Sequence, residues 1–304
     1  MITKKIKAVC FGEILYDVFP AKERIGGAPL NVASRLSSMG IETEMISKVG
    51  VDEKGDELFS YLNSRHIETG NILQDEKHNT GIVNVSLSAN GSATYKIEYP
   101  SAWDKIELKD EMSESVLNAD VFIFGSLVCR DEISRGTLFK LIKKAKFRVL
   151  DFNLRPPHYS KELLMSLIGH AEFIKFNDDE LFEIAALLGS KYNSLEQNLH
   201  FIAGKSNATS ICVTKGRHGA VFLHNKKLYY NSGYKVQVKD TVGAGDSFLA
   251  TLIAKLLHGK EPQQALDQAC AMGALVAGQE GANPVITGEM LQSFINPCKI
   301  STVN

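Results

Sequence analysis

Residues 243–246 read Gly-Ala-Gly-Asp, directly before an apolar helical repeat. Phe248, Leu249, Leu252, Ile253, Leu256 and Leu257 recur at the spacing of one helical face, and Gly259 is placed to end the helix. Gly243, Ala244 and Gly245 therefore lie at the N-terminus of a buried helix. Small residues there let a ligand approach the backbone, and the free N–H groups favour an anion. Asp246 then stands beside the anion that the turn attracts. That pairing suits an alcohol attacking a phosphate: the amides hold charge developing on the phosphoryl group, and the carboxylate accepts the hydroxyl proton. The same residues also fit a plainer role, an Asp capping the helix with glycines for tight packing. A second segment, GGAPLNVASRL at 26–36, follows GEILYD at 12–17. Asp17 and Asn31 offer a carboxylate and an amide that suit vicinal hydroxyls; the alternative is a turn followed by a polar helix face.

The elements that must position these residues alternate along the chain. Residues 6–11 (IKAVCF) read as a buried strand. A helix follows Gly26-Gly27, with Pro29 in its first turn and Gly40 past its end. A strand at 43–49 and an amphipathic helix at 53–65 come next. Strand patterns at 121–125, 147–152, 172–176 and 210–214 are separated by helix-length segments. Near-continuous apolar strands between helices predict a mostly parallel sheet covered on both faces. Residues 80–99 break the alternation: two period-2 strands joined by Asn90-Gly91 predict a hairpin. Its half-polar strands place it in a small sheet beside the main one, able to act as a lid. The expected organisation is one domain over 1–304, with the lid formed by insertions near 14–25 and 80–104.

Composition narrows the function classes. Of 304 residues, 44% are apolar and 23% charged, which excludes a disordered, collagenous or disulfide-stapled chain. Thirty-four Lys and Arg against 35 Asp and Glu leave a net charge of −1, so a basic footprint for nucleic acid or anionic lipid is missing at whole-chain level. Cysteines at 10, 129, 212, 270 and 298 show no CxxC or metal-ligand spacing, as expected of free thiols in a reducing compartment. Lys4, Lys5 and Lys7 before an apolar stretch superficially resemble a signal peptide. Glu13 and Asp17 interrupt that stretch, and charge-free segments such as 121–129 fall far short of a bilayer span. A cytoplasmic location is expected.

Taken together, the motifs resemble the ribokinase-like (PfkB) family of carbohydrate kinases over essentially the full chain. GGAPLNVA matches the family's N-terminal signature and DTVGAGDSFLA its C-terminal one, in the right order. FNDDE at 176–180 fits the NxxE motif, DFNLR at 151–155 the D-x-N-x-R strand end, and TKGRHG at 214–219 the nucleotide-side turn. The resemblance implies a three-layer α/β fold: a mostly parallel central sheet, helices on both faces and a small β-sheet lid over a sugar. The implied reaction moves the γ-phosphoryl of ATP to a primary hydroxyl. On that basis Asp246 is the catalytic base, and Gly243, Ala244 and Gly245 supply the anion hole. Asp17, Gly27, Asn31 and Asn153 hold the sugar. Asn177 and Glu180 order magnesium and its waters, although a capped helix start is locally as good a reading. Lys215 and Gly216 contact nucleotide phosphate or ribose. Arg155 clamps the transferred phosphate or forms a surface ion pair. Asp240 and the Val242 carbonyl correspond to the loop that binds a potassium-like ion in many members, and Asn283 either reaches the adenine or sits in a simple turn.

The choice of sugar rests on less. YPSAWD after the hairpin and FGSL at 124–127 look like the fructokinase branch, where a Ser-Ala pair and a GSL turn border the sugar site. Ala102 and Trp103 are the substrate candidates there; for Trp103 the alternative is an aromatic of the lid's core. A phosphorylated sugar needs additional cations, for which Lys22 and Arg24 are candidates, but no dense basic cluster appears. The leading rival is a 2-keto-3-deoxygluconate kinase, which needs an Arg for the substrate carboxylate; Arg35 or Arg24 would serve. A non-catalytic sugar-binding regulator on the same fold is a further alternative, which the intact Asp246 and glycine turn disfavour. A lid strand with an open edge would suit a homodimer.

Overall fold

The computed structural model describes residues 5–20, 22–87 and 93–297. The expected turn at Asn90-Gly91 and Cys298 lie outside the described residues. The chain divides into two compact units, Met1–Ala171 and Glu172–Asn304.

The first unit contains β1 (Lys7–Phe11), β2 (Leu15–Phe19), β3 (Lys22–Gly26), α1 (Ala28–Ser38), β4 (Glu42–Gly50), α2 (Glu53–Ser64), β5 (Ile67–Glu68) and β6 (Ile72–Asp75). β7 (Gly81–Leu87), β8 (Ala93–Ile97), α3 (Asp110–Asn118), β9 (Val121–Gly125), α4 (Glu132–Ile142), β10 (Arg148–Asp151) and α5 (Lys161–His170) complete it. Strands β10, β9, β1, β4 and β5 lie side by side in that order, all parallel, and β6 also pairs with β4. Every residue of β9, VFIFG, is buried, as a parallel strand covered on both faces requires. A separate four-stranded sheet runs β3-β2-β7-β8. It joins the two segments read as lid insertions: β2 pairs antiparallel with β3 and parallel with β7, and β7 pairs antiparallel with β8.

Side chains fasten the small sheet to its surroundings. Asp52 caps α2 by accepting from Gly55 N at 2.8 Å, and it also accepts from Thr80 N and Thr80 Oγ1 just before β7. At the far end of the hairpin, Arg130 donates to the Glu98 carbonyl at 2.6 Å and pairs with both oxygens of Asp104 at 2.7 Å. Its guanidinium lies 4.0 Å from the Trp103 ring centroid and 5.2 Å from that of Tyr99. This fork-shaped pairing with two ring contacts uses the geometry that distinguishes Arg from Lys.

The second unit comprises β11 (Phe173–Asn177), α6 (Asp178–Leu187), α7 (Leu195–Ala203), β12 (Ser210–Thr214), β13 (Ala220–His224) and β14 (Lys227–Asn231). The helices α8 (Ala244–Leu257), α9 (Pro262–Ala277) and α10 (Gly288–Ile295) follow. β11 and β12 are parallel, and β13 and β14 extend them antiparallel. The face of α8 predicted from its periodicity is buried through Phe248, Leu249, Leu252 and Ile253. Close approach of α9 depends on Gly273, where a Cβ would lie 3.3 Å from the Ala244 carbonyl oxygen.

Candidate active site

In the first unit the candidate residues collect where the strands end. β1, β9 and β10 point their carboxyl ends at the N-terminus of α1, and a pocket there is lined by Glu13, Ala28, Gly125, Ser126, Asp151 and Asn153. Open α/β sheets bind ligands at the carboxyl ends of their strands for this reason: loops and helix starts converge there. Gly27 caps α1 at φ 112°, and a side chain on it would run into the Glu13 carbonyl. Asn31 follows one turn later, buried, with its backbone N–H donating to the Gly27 carbonyl at 2.9 Å. Asn153, just beyond β10, holds φ 42°, a left-handed conformation uncommon for a residue with a Cβ.

Asp17 stands on β2 within the small sheet, paired with Arg24 of β3, and Gly26 two residues further along β3 leaves room for its side chain: a Cβ at Gly26 would lie 2.5 Å from its Oδ2. Burial pushes the Asp17 carboxyl up to about 6, and the nearby cations Arg155 and Arg24 oppose only part of that shift. Desolvation thus outweighs the two guanidiniums. Arg155 is exposed, donates to the Leu154 carbonyl at 2.9 Å, and bears its charge near Asp17.

Three expectations on this side change. Trp103 and Ala102 are fully buried in a short 3-10 turn. Arg130 covers the indole, and the start of β7 at Gly81 closes on its nitrogen edge, so the ring packs the root of the hairpin and presents no face to a sugar. Arg35, offered as a carboxylate ligand, is buried in α1 with Arg65 and Tyr61 near it, which leaves Arg24 for that task.

In the second unit the GAGD turn is set by backbone. Gly243 caps α8 in the left-handed region at φ 75°, and a Cβ there would come within 2.6 Å of the Ala282 Cα. Asp246 is the acid of the first helical turn, half-buried. Asp240 accepts from Val242 N at 3.1 Å and from Gly281 N at 3.2 Å, clasping the turn to the 281–283 segment that carries Asn283. The ends of β11 and β12 lie in register, Asn177 opposite Thr214, so Asn177 and Lys215 leave neighbouring strands. Lys215 lies near Cys270 of α9, and Gly216 beside it is exposed at φ 52°. Asn177 and Glu180 form a reciprocal cap: Asn177 Oδ1 accepts from Glu180 N, and Glu180 Oε2 accepts from Asn177 N, both at 2.8 Å.

Two residues read only as parts of motifs take definite places: Gly26 of the double glycine leaves space for the Asp17 side chain, and Ser126 of the GSL turn donates to the Phe152 carbonyl at 2.6 Å. One residue beside the GAGD turn escaped sequence reasoning. Lys175, buried on β11, had a legible signal: a lysine inside the otherwise apolar FIKF.

A family model for the pfkB family of carbohydrate kinases matches residues 5–287. The chain belongs to that family. It is a phosphotransferase that acts on an alcohol group of a carbohydrate. A putative sugar kinase of Pyrococcus horikoshii is 31% identical over 269 residues, 82% of each chain. The probable fructokinase-7 of Arabidopsis thaliana is 30% identical over 313 residues, 91% of this chain and 89% of that one. Among solved structures, a fructokinase of Vibrio cholerae O395 in a fructose-, ADP- and calcium-bound form superposes with a TM-score of 0.82 at 24% identity, covering 95% of this chain and 99% of the other. Among the described residues no helix is long and apolar enough to cross a membrane.

Proposed function

We propose that this PfkB kinase transfers the γ-phosphoryl group of ATP to a primary hydroxyl of a ketohexose, with D-fructose its substrate. The observation that carries the transfer chemistry is the GAGD turn, an acid in the first turn of α8 behind a left-handed Gly243 seated on Ala282. Asp246 accepts the hydroxyl proton while the amides of residues 243–245 hold the phosphoryl charge. Asp17, Gly27, Asn31 and Asn153 bind the sugar, and the small sheet acts as its lid. Arg155 clamps the phosphoryl group. Lys215, Gly216 and Asn283 bind the nucleotide.

Asn177 and Glu180 fit a magnesium ion held chiefly through water. Their cap engages Asn177 Oδ1 and Glu180 Oε2, oxygens that can each accept a second bond from a metal-bound water, and among the described residues no group of three or more His, Cys, Asp or Glu gathers into a cage. Magnesium keeps several waters and takes few protein ligands. When bound it neutralises charge on the β- and γ-phosphates. Potassium would be held by oxygens of the loop that Asp240 clasps, the Val242 carbonyl among them. The kinase works in the cytoplasm in this reading, consistent with four buried free cysteines among the described residues. A homodimer would form through β3 or β8, the two edges of the small sheet.

Fructose is supported by the fructokinase names among relatives near 30% identity and by the suitability of Asp17 with Asn31 for neutral hydroxyls. A second reading, an acidic sugar such as 2-keto-3-deoxygluconate, is favoured by Arg24 and Arg155 at Asp17. The deciding measurement is kcat/KM with ATP for the two sugars. Fructose should lead by more than about tenfold, roughly 1.4 kcal/mol of differential transition-state binding. A tenfold lead for the acidic sugar would replace fructose with it and assign its carboxylate to Arg24.

A further inference from the structure

β11 is an apolar strand with one exception. Phe173, Ile174 and Phe176 are wholly buried, and Lys175 stands among them at 6% exposure. Its ammonium group reaches α8: Nζ lies 3.3 Å from the position that a Cβ on Gly245 would take. Two effects oppose a cation in that place. Burial strips an ammonium group of its hydration. The first turn of a helix also carries unsatisfied N–H groups and the positive end of the helix dipole. Positive charge is thus set against positive charge at this turn. Asp246 brings a carboxylate to the same turn, and a phosphoryl group held there would bring further negative charge. Gly245 completes the geometry, because any side chain there would press on the ammonium from the α8 side.

We propose that Lys175 is a further catalytic residue of the kinase, its ammonium contacting the phosphoryl group in transfer alongside the amides of Ala244 and Gly245. The inference rests on the reading of the GAGD turn as the site of phosphoryl transfer. In that step the substrate oxygen bonds to phosphorus, the bond from phosphorus to the ADP oxygen breaks, and the hydroxyl proton passes to Asp246. Lys175 keeps its proton throughout and offsets the negative charge on the phosphoryl oxygens, which a fixed cation in a water-poor site does more strongly than one in solvent.

The test compares the full-length protein with Lys175→Met and Lys175→Gln, using ATP and the best of fructose, ketodeoxygluconate, ribose and tagatose. Both variants should lose about a hundredfold or more in kcat, the scale seen when one preorganised donor to a developing charge is removed. KM for the sugar should stay within about threefold. The loss should persist at every pH. ADP with aluminium fluoride, which mimics the planar phosphoryl group, should raise the melting temperature of the wild-type protein and not that of the variants, while ADP alone raises both. A variant kcat within threefold of wild type would overturn the proposal. So would a loss confined to low pH and fully recovered at high pH, because Lys175 would then only hold Asp246 ionised. Should Lys175→Met fail to fold, Lys175→Gln decides by the same two measurements. A wild-type protein without sugar-dependent ATP turnover would instead overturn the reading of the turn itself.

Discussion

The GAGD turn and the residues proposed to hold the sugar are built in opposite ways. Gly243, Ala244, Gly245 and Asp246 are contiguous, and their arrangement is fixed by one left-handed glycine against Ala282 and by the clasp of Asp240. Asp17, Gly27, Asn31 and Asn153 come from a strand of the small sheet, a helix start and the end of β10. A turn made of backbone can serve any phosphoryl transfer. A site made of side chains from separate elements can change its substrate one residue at a time. Under the proposed function, chemistry belongs to the contiguous turn and specificity to the assembled side.

The sharpest way to break that division is Asp246→Asn. It keeps the shape of the first turn of α8 and removes the proton acceptor, so kcat should fall at least about a hundredfold, the low end for a general base. Sugar and ADP affinities, measured by calorimetry, should stay near wild type. Near-normal turnover would remove Asp246 from the chemistry.

A smaller effect sharpens the other side. Because burial raises the Asp17 carboxyl to about 6, it gains a proton as pH falls through that value and loses acceptor capacity for sugar hydroxyls. The kcat/KM for the sugar should therefore fall below about pH 6, roughly tenfold per pH unit once Asp17 is mainly protonated. In Asp17→Asn that limb should disappear from a lower plateau. The sign for stability is opposite: a carboxyl whose folded pKa is raised favours the folded state at low pH, and that contribution is lost as pH rises through about 6. A profile unchanged in Asp17→Asn would assign the limb to another group.

The smallest effect concerns Asn177 and Glu180. Replacing both by alanine removes the reciprocal cap of α6 and should lower stability by about 1 kcal/mol, as cap loss usually does. If the pair also orders magnesium, the magnesium concentration for half-maximal rate should rise. An unchanged magnesium requirement with lowered stability would leave the cap as their only role.

Much of this was legible in the sequence, for physical reasons that differ by residue. The α8 face could be read because burial at helical spacing is local, and the β7–β8 pairing because alternation is local too. Gly243 announced its turn because only glycine sits easily in the left-handed region beside a backbone atom. Trp103 was harder. An aromatic beside a hairpin looks the same in sequence whether it meets ligand or core, and only Arg130 and Gly81, distant in the chain, decide it. Arg24, Arg35 and Arg155 were equal as letters; strand register and burial separate them. Lys175 carried a signal in FIKF, but its neighbour Gly245 is seventy positions away.

The meeting of Gly81 with Trp103 has a bearing on how this enzyme can be altered. The indole fills the space that any side chain at 81 would need, so the two positions are locked as a large-and-small pair. Random variation at either one alone is penalised, and only a concerted exchange opens a route to a different packing. Libraries meant to shift sugar preference should therefore hold both fixed, or vary them as a single two-letter site, and spend their diversity on Arg24, Asn31 and Asn153.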